Sequence, residues 1–266
     1  MTTVVPSYIA KLSRAEKHLI ELEEAINAYA RRDPYTVSKT VECKKKPKTV
    51  YRLVFTADPS NTDIPIIAAD VIYNLRSALD HLMSCLVANK ERSSVIFPIF
   101  FQGVWDTAPQ GENAQRTKIR ERWKSDTKSL GEPAFAVLKS LQPPDGTGNH
   151  VEVDRLQIVN SLSNRDRHEK LPVLASGLRN FTLTVKGADG KTYTGIAEPD
   201  LASDFAKDKA RLKVPKEAVD VQIKGTPLIV IRVRDERYIP LPDFLTEMVP
   251  FLNQRIINPL TPHVIR

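Results

Sequence analysis

In the first thirty residues, Ile9, Leu12, Leu19, Leu22, Ile26 and Tyr29 recur at three- and four-residue steps. This puts them on one stripe of a helix over 7–32. Asp33-Pro34 closes it, because proline drives the residue before it out of helical backbone. Two strand-like runs follow at 35–42 and 49–57, joined by the lysine-rich KKKPK. The alternation in YRLVFTA marks the second run, so a hairpin stands between two helices. Asp63-Ile64-Pro65 then opens a second long helix to about residue 88, with Asp63 as cap and Pro65 in the first turn.

Further on, VIFPIFF at 95–101 is apolar, but Pro98 keeps it from being a central strand. A short basic helix is expected at 114–124, another at 134–141 and a third at 150–162, the last followed by the polar loop SNRDRHEK at 163–170. Alternating runs at 181–185 and 192–196 flank Ala188-Asp189-Gly190 and predict a hairpin. Runs at 219–224 and 228–234 flank Gly225-Thr226-Pro227 and predict a second one. Phe244, Leu245, Met248, Phe251, Leu252 and Ile256 face inward on a closing helix at 242–258. The expected fold is α+β in a single domain over 1–266: a helical part over about 1–172 with a hairpin at 35–57, an antiparallel β-rich part over about 173–238, and a closing helix at 240–258.

Composition narrows the class. Apolar residues make up 41% and charged residues 27% of 266, within the range of folded soluble domains. No apolar run approaches the roughly 20 residues of a membrane span, and the first residues lack the apolar core of a signal peptide. Cys43 and Cys85 are the only cysteines, too few for a disulfide framework or a zinc knuckle. A cytoplasmic protein with no membrane partner is therefore expected. A net charge of +7 favours polyanionic partners, RNA or another nucleic acid first among them, with Lys44, Lys45 and Lys46 as one contact cluster.

The second helix carries the densest chemistry. At about 100° per residue, Asp70, Asn74, Ser77 and His81 share one polar face, opposite Val71, Ile72, Leu75, Ala78, Leu79, Leu82 and Leu86. Arg76 and Asp80 stand at its edge, four residues apart and within reach of an ion pair. Short polar groups without long lysines or glutamates suggest either a buried polar network or a site on a rigid helix. A second cluster, Asn164, Arg165, Arg167, His168 and Lys170, offers phosphate forks and a titratable ring, or else a basic cap on a helix end. Lying over the helix at 74–81, it would complete one site. Asp70, Asn74 and His81, joined by Asp166 and His168, are also a conceivable metal set, though no HExxH or paired-histidine spacing supports one. The expected cofactor and metal content is none. There is no Walker loop, no GxGxxG after a strand, no GxSxG elbow, and no aromatic strand signature of an RNA-recognition module.

Two resemblances bear on function. RSALDH, with Arg76 and His81 separated by four residues, resembles the signature of HEPN-family ribonucleases, helical proteins of toxin, CRISPR and abortive-infection systems. That resemblance implies metal-independent RNA cleavage, with His81 as acid or base, Arg76 on the phosphate and a composite site across a homodimer. Asn74 and Asp80 would orient the pair, and Arg167, His168 and Lys170 would hold or help cleave the backbone. In addition, NLRSALDHL, FPI at 97–99, LQP at 141–143 and SNRDRHEKL together resemble a widespread set of bacterial and phage proteins, a likeness that implies no activity. The alternative is a non-catalytic binding or interaction protein whose polar clusters are structural.

Overall fold

In the computed structural model of the chain, residues 5–42, 48–87, 95–99, 114–141, 151–188, 190–197, 211–212, 218–233 and 237–265 are described. In chain order the elements are α1 (Ser7–Ala30), β1 (Tyr35–Glu42), β2 (Lys48–Phe55), α2 (Ile64–Leu86), α3 (Ala114–Thr127), α4 (Glu132–Ser140), α5 (Val151–Asp166), β3 (Val173–Gly187), β4 (Thr192–Ala197), β5 (Arg211–Leu212), β6 (Ala218–Arg232), β7 (Tyr238–Pro240), α6 (Leu241–Leu252) and α7 (Asn258–Leu260). A π-helical turn, Asn253–Ile257, joins the last two. The fold is thus mixed helix and antiparallel sheet with a closing helix. Contacts cluster in two compact units, each discontinuous in sequence: Met1–Leu19, Ala68–Glu169 and Leu245–Arg266 form one, and Ile20–Ile67 with Lys170–Phe244 form the other.

The first unit is helical. Most of α2 is its core: Val71, Ile72, Leu75, Ala78, Leu79, Leu82 and Met83 are all fully buried. Large aliphatic side chains buried this way stabilise by about 1.5–3 kcal/mol each, which holds α2 rigid. On α5, Arg155 reaches Glu247 at 2.6 Å and lies over the Phe251 ring. Trp123 of α3 is buried and meets the Phe135 ring of α4 at 6.0 Å. Residues 95–99 form no regular element, in keeping with Pro98. The helix expected to stop at residue 162 instead continues to Asp166. Ser163, Asn164, Arg165 and Asp166 are therefore helical and not a loop. The polar run stops no helix by itself, because it holds no proline and no glycine.

The second unit is β-rich. β1 and β2 pair antiparallel from Tyr35↔Phe55 to Glu42↔Lys48, the expected hairpin, and β5 adds to β2. Asp33 has φ 46° where α1 ends, the left-handed backbone that terminates many helices. The other sheet runs β4-β3-β6-β7. β3 and β4 form the expected hairpin, closed by Gly190 at φ 75°. The second expected hairpin is not there: 218–232 is one continuous strand, paired along β3. Gly225 opposes two residues of β3, Asn180 and Phe181, at a bulge, and Asn180 has φ 46°. Tyr35 Oη accepts from Gly225 N and donates to Gly225 O, both at 2.9 Å. Gly225-Thr226-Pro227 thus looks like a turn in sequence but marks a bulge site. Among the described residues, β7 pairs only with Val230–Arg232, so it claims no N–H from Pro227.

Candidate functional site

Three segments of the helical unit converge on Arg76. On α2 it falls beside the apolar side, and only 7% of its surface is exposed. Its Nη2 donates to Phe97 O at 3.0 Å and lies 3.0 Å from Asp80 Oδ1. The same Asp80 oxygen accepts from Phe97 N at 2.8 Å. The two side chains, one helical turn apart, therefore satisfy both backbone groups of Phe97. They hold 95–99 as a strand partner would, in a segment that Pro98 bars from a central ladder. This is the ion pair that the i, i+4 spacing predicts, now with a structural purpose.

That network uses one arm of the guanidinium. Among the described residues, Arg76 Nη1 is buried and has no hydrogen-bond partner. Arg76 lines a cleft of about 330 Å³. Arg122 and Asp126 from α3, Asn160 and Asn164 from α5, and Arg167 just beyond α5 line the same cleft together with Ile96 to Ile99, and the lining is mostly polar. Asp126 Oδ2 is likewise buried without a hydrogen bond. Arg122 Nε stands 3.6 Å from it, an ion-pair separation too long for a hydrogen bond.

The electrostatics follow. Burial pushes the Arg76 guanidinium below its ordinary pKa, Asp80 opposes the shift, and repulsion from Arg167 and Arg122 adds to it. Arginine nonetheless keeps its proton. Burial raises the Asp126 carboxyl, against the pull of Arg122 and Arg76. Three guanidiniums thus face two carboxylates, and Asp80 is already engaged. The cleft carries an excess of positive charge and a donor without an acceptor. An anion satisfies both.

The expected polar face lies elsewhere on the helix. Arg76 and His81 are five residues apart, about 140° around α2. His81 is half-buried and is not among the lining residues. Asn74 is buried, and its Nδ2 donates to Asp70 O of its own helix at 2.8 Å. Asp70 is exposed; Asp166 feels it, and burial first and Asp70 second raise the Asp166 carboxyl. The end of α5 and Arg76 and Asp80 of α2 line the same cleft. Only Asn164 and Arg167 of the second cluster line the cleft. His168 is exposed, Arg165 bonds Glu169 at 3.1 Å, and Lys170 donates to Ser60 O. Lys44, Lys45 and Lys46 lie outside the described residues. Among the described residues, no group of three histidine, cysteine or acidic side chains is placed to hold a metal. No helix there is long and apolar enough to cross a membrane.

Arg122, Asp126 and Asn160 belong to no motif in the sequence. Their signal is spacing: Arg122 and Asp126 sit at i, i+4 on α3, and Asn160, Asn164 and Arg167 form a stripe at helical steps. NLRSALDHL, FPI and SNRDRHEKL, far apart in sequence, each supply residues to the cleft. No family model, curated protein or solved structure matches the chain.

Proposed function

We propose that the chain binds single-stranded nucleic acid and takes a backbone phosphate into the cleft, against Arg76 Nη1 and between Arg122 and Arg167. The observation that carries this reading is Arg76, a cleft-lining residue whose buried Nη1 has no hydrogen-bond partner among the described residues. A charge-assisted bond from guanidinium to phosphate is the strong kind, and burial of the donor shields it from water. The net charge of +7 attracts the rest of the strand. The cleft is too small for a duplex and suits one phosphate with its neighbouring base.

The ribonuclease reading assigns its acid–base step to His81, which does not line this cleft. Binding is therefore the reading that the cleft supports, and strand cutting by Arg76 with His81 is not part of the proposal. The test is fluorescence anisotropy with a labelled single-stranded RNA across a salt series. Affinity falls as salt rises, because bound phosphates displace counterions. Arg167→Gln, on the exposed rim, weakens binding and flattens the salt slope by about 0.7. An affinity independent of salt and unaffected by Arg167→Gln contradicts the proposal.

A further inference from the structure

The cleft has a second unmet group, and it has the opposite character. Among the described residues, Arg76 Nη1 lacks a hydrogen-bond acceptor, and Asp126 Oδ2, in an ion pair with Arg122 at 3.6 Å, lacks a hydrogen-bond donor. Both residues line the same cleft. A bare anion satisfies the first and is repelled by the second. A bare cation does the reverse. What satisfies both is a ligand with an anionic oxygen at one end and an N–H donor at the other.

Resting on the proposed binding of nucleic acid, we infer that the cleft reads one nucleotide, with a phosphate oxygen on Arg76 Nη1 and an exocyclic base amine on Asp126 Oδ2. The volume, about 330 Å³, is at the lower end of small-ligand pockets and suits a single nucleotide. Ile96, Pro98 and Ile99 supply a small apolar part of a mostly polar lining, against which an edge of the base can rest. Carboxylates accept from the cytosine N4 amine in base-edge recognition, and adenine N6 and guanine N2 carry the same kind of donor. Uracil places a carbonyl oxygen where cytosine has its amine. In this cleft that oxygen is set against the carboxylate, so uracil meets Asp126 Oδ2 through N3–H alone and with its O4 repelled. Setting one acceptor against another where water is excluded is what separates the two bases.

The test is calorimetric titration of the full chain with cytidine 5′-monophosphate and uridine 5′-monophosphate, alongside oligo(C) and oligo(U) of equal length. The cytidine ligands bind about tenfold more tightly than the uridine ligands. Asp126→Asn, whose amide presents either a donor or an acceptor, brings the two within about twofold, and circular dichroism checks that the variant is folded. A preference seen with mononucleotides identifies free nucleotide as a source, and one seen only with oligomers identifies a strand; both support the shared chemistry. Equal binding of cytidine and uridine ligands, with both weakened by Arg167→Gln, overturns the base reading and leaves phosphate binding standing. A preference that survives Asp126→Asn also overturns it. No binding of any nucleotide or strand overturns both readings.

Discussion

The two sides of α2 invite opposite conclusions in sequence and in three dimensions. One side, with Asp70, Asn74, Ser77 and His81, looks like a site because it gathers reactive groups. Yet Asn74 bonds its own helix backbone, and Asp70 is exposed. The other side looks like core, yet it holds Arg76, whose buried guanidinium has one arm committed to Phe97 and Asp80 and one arm without a partner. On the proposed reading, reactive side chains are not what marks the binding site. Unmet hydrogen-bonding capacity at a cleft wall is the better marker, because burial makes it costly until a ligand arrives.

The largest expected contrast is in stability. Arg76→Ala takes the cation from Asp80, which keeps Phe97 N, and the donor from Phe97 O, and leaving a buried acceptor unsatisfied costs about 1–3 kcal/mol. Asn74→Ala removes a bond within one helix and costs about 1 kcal/mol. Urea denaturation of both variants checks this, and equal losses would erase the distinction between the two sides. Next in size is the double variant Arg122→Gln with Arg167→Gln. Both residues are exposed and Arg122 gives up its 3.6 Å ion pair with Asp126, so stability moves by about 1 kcal/mol or less, while the RNA salt slope falls by about 1.4. By comparison, His81→Ala leaves RNA affinity within about twofold, as expected for a residue outside the cleft. A loss matching that of the arginine variants would bring the polar face back into the site.

The smallest effect concerns pH. The folded-state pKa of Asp126 is raised, burial being the first cause. The native state therefore holds this proton more tightly than the unfolded chain does. Its contribution to stability is greatest below the ordinary carboxylate value, about 3.9, and is lost as pH rises through the raised one. Asp126→Asn is accordingly more stable than the parent at neutral pH, and the gap closes under acid conditions. Chemical denaturation at pH 7 and at pH 4 measures this, and a gap that widens in acid would reverse the assigned sign.

Much of the fold was legible because its signals are local. The stripe of α1, the alternation of β2, the apolar face of α2 and the glycine turn between β3 and β4 each lie within a short window. Gly225-Thr226-Pro227 misled because the sequence does not show that β3 bulges opposite it or that the Tyr35 hydroxyl serves its backbone. The site divides in the same way. Arg76, Asp80, Asn164 and Arg167 stand out in sequence, and the Arg76–Asp80 pair follows from spacing alone. Arg122, Asp126 and Asn160 do not stand out, because only packing brings α3 and α5 to α2. Nor does sequence tell that Arg76 lines the cleft while His81 does not.

The central claim is tested most directly by following the side chains themselves. In protein labelled with nitrogen-15 at arginine and histidine, titration with a short single-stranded RNA should move the Arg76 guanidinium resonances, assigned with Arg76→Lys, at the stoichiometry of binding. The His81 imidazole, assigned with His81→Ala, should stay in place. RNA that binds and moves the His81 ring while leaving Arg76 unchanged would contradict the account.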